Sequence, residues 1–183
     1  MKDAYFSNRQ RGASRVSLVV GGAAVVLVVV VAAWVFGGRG TVHQGHPSVL
    51  ADFKLPSLGG KSVGPEDFRG KVVLVDFWAT WCGPCRLQGE ILEPLYKKVH
   101  ADGVQFLAVD SGERPEVVRR FVDQRPFLYP VLLDSDSKVS DRLQIDAFPT
   151  LMIFGKSGSL VYFAPGVVDG PTLEKLLRRA EHA

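Results

Sequence analysis

VVLVDFWATWCGPC, residues 72–85, holds both cysteines of this chain and decides how the rest is read. Its first half, Val72 to Trp78, is a near-continuous apolar run of strand formers, which predicts a central strand covered on both faces. Asp76 interrupts that run. A carboxylate buried there would have a raised pKa and is rarely kept without a role, whereas at a strand edge it would simply point to water. The second half brings two thiols three positions apart, at Cys82 and Cys85. Such a pair can be a redox couple, half of a metal site or a structural clip. With only two cysteines, a multi-bridge disulfide scaffold is excluded.

Downstream of the pair, apolar Leu87, Ile91, Leu95 and Val99 recur at four-residue steps, so a helix over 86–100 is expected, with Pro94 kinking it. VQFLAVD, residues 104–110, reads as a second buried strand. RPEVVRRFVDQ, 114–124, reads as a helix with Pro115 in its first turn, where no N–H is needed. PVLLD then gives a short strand and SKVSDRLQI a short helix. PTLMIF (149–154), GSLVYFAPG (158–166) and PTLEKLLRRAEH (171–182) complete the order as strand, strand, helix, the last with an apolar stripe of Leu173, Leu176, Leu177 and Ala180. DSDS at 134–137 lacks the glycine and bidentate Glu of a calcium loop and reads as an ordinary loop. Upstream, ADFKLPSLGGKSVGPEDFRGK, 51–71, suggests a hairpin at Gly59-Gly60 and a turn around Phe68.

The first fifty residues are of another kind. From Val16 to Phe36 no residue is charged, and as a helix at about 1.5 Å per residue this stretch would match a hydrocarbon core of about 30 Å. The rival reading is a cleaved signal, but signal h-regions run to about 15 residues, fewer than here, which favours an uncleaved anchor in the lipid bilayer. Lys2, Arg9, Arg11 and Arg15 precede the span, while only Arg39 and Lys54 fall in the next twenty residues. Basic flanks stay in the cytoplasm, so the expected layout is a cytoplasmic N-terminus (1–15), a transmembrane anchor (16–36), a linker (37–50) and an extracytoplasmic domain (51–183), where disulfides persist. His43 and His46 in the linker have no third ligand nearby and read as exposed linker residues. The net charge of +3 is small, and basic residues alternate with acids, as in GERPEVVRR and LEKLLRRAEH. No nucleic-acid footprint results.

A strand ending in WATWCGPC, a helix opening at the second Cys and a Phe-Pro-Thr before a later strand together resemble the thioredoxin fold. The helix-and-strand insertion before FPT resembles the membrane-anchored, exported branch of that fold, the TlpA/ResA thiol-disulfide oxidoreductase family. The resemblance covers residues 51–183 and implies an α/β domain, a central mixed sheet flanked by helices, with no cofactor and no metal site. It implies that Cys82 and Cys85 are catalytic, with Cys82 at the exposed mouth of the helix as nucleophile and Cys85 resolving the mixed disulfide. Asp76 would exchange a proton with Cys85. Trp81, Gly83, Pro84, Phe148 and Pro149 would meet the substrate, Pro149 being the family's cis-proline.

The expected activity is therefore reduction of disulfides in exported proteins, cytochrome c maturation among the contexts, fed by a thiol-disulfide electron donor in the membrane. Residues depart from the family pattern at three places. Gln88 stands where ResA-like proteins carry a Glu, so an acid-base role does not transfer. Glu90 replaces a usual Pro, and Phe148 replaces the commoner small or β-branched residue. Competing readings are a copper(I)- or zinc-binding module on the same thiols and an oxidase or isomerase of protein disulfides. A peroxidase would place its reactive Cys in a Thr-x-x-Cys context that WATWC does not supply.

Overall fold

The computed structural model describes residues 52–183; the expected N-terminus, span and linker and the first residue of the domain lie outside the described residues. Among the described residues no helix is long and apolar enough to cross a membrane. The chain opens with a small antiparallel hairpin, β1 (Leu55–Pro56) and β2 (Ser62–Val63), turned through Gly59-Gly60 as expected. A 3₁₀ turn at Pro65–Phe68 leads into β3 (Val72–Trp78), followed by α1 (Gly83–Val99), β4 (Val104–Ser111), α2 (Pro115–Gln124), β5 (Val131–Asp134) and α3 (Lys138–Arg142). The chain ends with β6 (Thr150–Phe154), β7 (Leu160–Pro165) and α4 (Gly170–Ala180).

Five strands form one mixed sheet in the order β5-β4-β3-β6-β7. β3 and β4 run parallel, as do β4 and β5, and β6 runs antiparallel to both β3 and β7. β3 is thus the central strand, and all seven of its residues are buried. Because successive side chains in a strand alternate faces, it feeds two cores. Val72, Leu74 and Trp78 pack with Leu92 and Leu95 of α1 and Leu173 and Leu177 of α4. Val73, Val75 and Phe77 pack on the other face with Val139 and Leu143 around α3, and with Phe53 and Leu55.

Two sequence expectations for α1 need correction. The helix opens at Gly83, two residues before the second cysteine. Its buried face is Cys85, Gln88, Leu92 and Leu95; of the expected stripe Leu95 is buried, Ile91 and Val99 pack partly against the core, and Leu87 is 51% exposed. Steps of four residues drift by about 40° each around a helix of 3.6 residues per turn, whereas the 3-4-3 spacing of the buried set stays on one face. Polar Gln88 hid that face from a reading based on hydrophobicity. In α4 the stripe holds, with Leu173, Leu177 and Ala180 buried.

Candidate active site

At the C-terminal end of β3 the chain makes a tight turn, closed by the Cys82 N–H donating to the Ala79 carbonyl at 3.1 Å. Cys82 is the N-cap of α1, its backbone extended, and its Sγ accepts from the Cys85 N–H at 3.1 Å. One unpaired donor of the helix end is thereby turned onto sulfur. Pro84 fits in this first turn because its missing N–H would have no intrahelical partner. Cys82 and Cys85 form a disulfide with their Cα atoms 5.3 Å apart. Exposure does not separate the two thiols as expected: Cys82 is 4% and Cys85 5% exposed. What differs is their setting, since Cys82 caps the helix and Cys85 lies one turn inside it on the buried face.

Asp76 is 1% exposed, so the strand-edge alternative fails. Its position in β3 gives it the parity of Leu74 and Trp78, the face that packs against Cys82 and Cys85. Among the described residues its Oδ1 has no hydrogen-bond partner. Burial pushes its carboxyl up to about 7, because the charged form is desolvated.

Around the disulfide lie the residues expected to meet a partner. Trp81 is 68% exposed and meets the half-buried Phe148 edge-on, with ring centroids 6.0 Å apart. The Phe148–Pro149 bond is cis and Pro149 is buried. Gly83 and Pro84 are exposed at the helix mouth. Trp78 is core, stacked at a tilt on Phe121 and Phe127. A cavity of about 330 Å³ reaches Cys85; Trp78, Phe121, Phe127 and Tyr129 line it together with the exposed Arg86 and Arg125. Among the described residues no group of three His, Cys, Asp or Glu side chains could hold a metal ion. Asp134 of the DSDS stretch is spent on structure, accepting from the Val139 and Ser140 amides and from the Ser140 hydroxyl.

Three further side chains sit at the site that the sequence reading did not place there. Gln88, fully buried, clamps the backbone of Val168: its Nε2 donates to the Val168 carbonyl at 3.3 Å and its Oε1 accepts from the Val168 N–H at 2.8 Å. A neutral amide satisfies both groups at once, which a carboxylate would not. Glu113 accepts from the Thr80 N–H at 2.5 Å and from the Thr80 hydroxyl at 2.7 Å. Gly112, at φ 80°, allows the chain to turn sharply out of β4 just before it. Asp110, the register partner of Trp78, is wholly buried beside Glu113. Its signal was present, an acid ending an apolar strand, as with Asp76.

Residues 48–163 match the AhpC/TSA family. The chain is 31% identical over 134 residues to the thiol-disulfide oxidoreductase ResA of Bacillus subtilis (strain 168), covering 73% of this chain and 74% of that protein. Among solved structures it is similar to one from Chlorobium tepidum bearing the name thiol:disulfide interchange protein DsbE, at 28% identity and a TM-score of 0.69, over 74% of this chain and 96% of that one. StoA from Bacillus subtilis shares the fold at 22% identity and a TM-score of 0.62, over 71% and 98%.

Proposed function

The chain belongs to the AhpC/TSA family and is a thiol-disulfide oxidoreductase of the ResA type, and on that premise we propose that it reduces disulfides of exported proteins from a membrane tether. One observation carries this reading: the Cys82–Cys85 disulfide caps a helix N-terminus on the same face as buried Asp76, and Trp81 next to it meets Phe148, which precedes cis Pro149. A helix N-terminus favours an anion, and thiols so placed fall from about 8.5 to roughly 3.5–7.5.

In the proposed cycle the reduced Cys82 thiolate attacks a partner disulfide, forming a mixed disulfide and expelling one partner thiolate. Cys85 gives its proton to the Asp76 carboxylate and attacks Cys82, which expels the second partner thiolate and leaves the Cys82–Cys85 disulfide; Asp76 then returns the proton to that thiolate. A carboxyl near 7 can both take and return a proton at neutral pH. The partner backbone would lie extended beside Phe148 and Pro149, with Trp81 as an apolar platform. A thiol-disulfide protein of the membrane would restore the dithiol, and the Val16 to Phe36 anchor would keep the domain, residues 51–183, near it. Reduction of cysteines in cytochrome c maturation belongs to the same reading.

The direction of electron flow tests the proposal. Equilibrating the detergent-solubilised full chain with defined glutathione ratios, and following Trp emission, gives the potential. The reading expects a value below about −180 mV, the poise of the isomerase class. A more positive value would make the protein an oxidase or isomerase instead.

A further inference from the structure

Thr80 lies two residues before Cys82, and both of its donors end on one carboxylate from a distant part of the chain. Among the described residues no cation pairs with Glu113. The titratable groups facing its neighbour Asp110 are Glu113 and Asp134. Burial first, then Glu113 and Asp134, push the Asp110 carboxyl up to about 8. Both oxygens of the Glu113 carboxylate, and with them its charge, are met by the two Thr80 donors.

A clamp alone does not need that charge. A glutamine would accept the Thr80 N–H equally well, as Gln88 does for Val168. The charge has a second consequence because of where the clamp sits. Residues two apart span at most about 7 Å, so the Glu113 carboxylate lies on the order of 10 Å from Cys82 Sγ. At an effective dielectric constant of about 20, one charge at that distance moves a thiol pKa by about one unit. A stabilised thiolate makes a dithiol oxidising, and a thiolate held back makes it reducing.

We propose that Glu113 is a positioning residue for Cys82: it fixes the Ala79–Cys82 turn through Thr80 and, as an anion beside the N-terminus of α1, opposes ionisation of the Cys82 thiol, biasing the pair toward reduction of its partners. The inference rests on the oxidoreductase reading but is tested on a difference between variants. The absolute potential judges the reductase reading, and the shift judges Glu113.

The experiment compares the full chain with Glu113→Gln and Glu113→Asp, measuring the pH dependence of Cys82 alkylation and the equilibrium with glutathione at pH 7. Glu113→Gln keeps an acceptor for Thr80 and removes the charge, so the Cys82 pKa should fall by about one unit and the equilibrium should move toward the oxidising side by about twofold to tenfold. Glu113→Asp retains the charge and should stay near the wild type in pKa. A Glu113→Gln protein with the wild-type thiol pKa and equilibrium overturns the proposal. Should that variant fail to fold, Thr80→Val decides: it removes the hydroxyl donor and leaves the carboxylate less neutralised, so the Cys82 pKa should rise, and an unchanged value overturns the proposal equally.

Discussion

Replacing Asp76 by Asn removes a titrating group from the middle of the central strand and leaves its shape, so its effect on stability follows from the carboxyl alone. Burial raises the folded-state pKa from 3.8 to about 7. In the unfolded chain the group ionises near its ordinary value, so between these two points the native state binds the extra proton and stability falls as pH rises. Asp76 therefore costs nothing well below pH 3.8, about 2 kcal/mol at pH 5, and about 4 kcal/mol at pH 8, where the cost has nearly levelled off. Asp76→Asn lifts this penalty, and the variant should be more stable than the wild type by a margin that widens with pH. Urea unfolding of the oxidised proteins at pH 5 and pH 8 measures it: the difference between variant and wild type should grow by about 2 kcal/mol between the two. A constant difference would mean that Asp76 does not titrate in this range, and the proposed proton exchange with Cys85 would lose its basis. The companion measurement is kinetic, since the same variant should resolve mixed disulfides more slowly near neutral pH if Asp76 takes the Cys85 proton.

Cys85→Ala should accumulate mixed disulfides with exported proteins through Cys82, visible on non-reducing gels, whereas equal trapping by Cys82→Ala would reverse the assignment of nucleophile and resolving thiol. Gln88→Ala leaves the buried N–H and C=O of Val168 without their partner, at about 1–3 kcal/mol for each group, so urea unfolding should show a loss of about 2–6 kcal/mol. No loss would mean that water replaces the amide. A reporter enzyme active only in the cytoplasm, fused after Ala183, should be inactive, and activity there would defeat the proposed orientation of the anchor.

The frame of the site was legible in the sequence because its signals are local. Val72 to Trp78 read as a covered strand, the residues after the CGPC turn read as a helix, and Asp76 stood out against apolar neighbours. Long-range pairings were not legible. Nothing near Glu113 says that it reaches Thr80, 33 residues back, because the contact is made by the parallel pairing of β3 with β4, which brings Trp78 level with Asp110 and the loops beyond them together. Gln88 was noticed as a residue that cannot titrate, yet its work is a backbone clamp whose partner lies 80 residues away. Its polarity also disguised the buried face of α1. The equal burial of the two thiols was equally beyond a one-dimensional reading, since both belong to a core cluster that takes in residues far along the chain, such as Val168 and Leu173.

Taken with the proposed cycle, the opposing charges around Cys82 give the site a sign. The N-terminus of α1 favours a thiolate by about 0.3–1 kcal/mol, more where partly buried. That suffices to generate a nucleophile, but unopposed it would also stabilise the reduced pair and turn the protein toward oxidation. Near-complete burial and the Glu113 carboxylate act the other way. Asp76 adds a condition rather than a constant push: with its carboxyl near 7 it is neutral when a thiolate beside it raises its proton affinity, and ionised once that charge has left with the expelled partner thiolate, which can take up the Asp76 proton. The buried centre then holds one negative charge at a time, first on Cys82 and afterwards on Asp76, ready for the Cys85 proton. A reductase needs that order, because Cys85 must stay protonated and silent until Cys82 has engaged a partner.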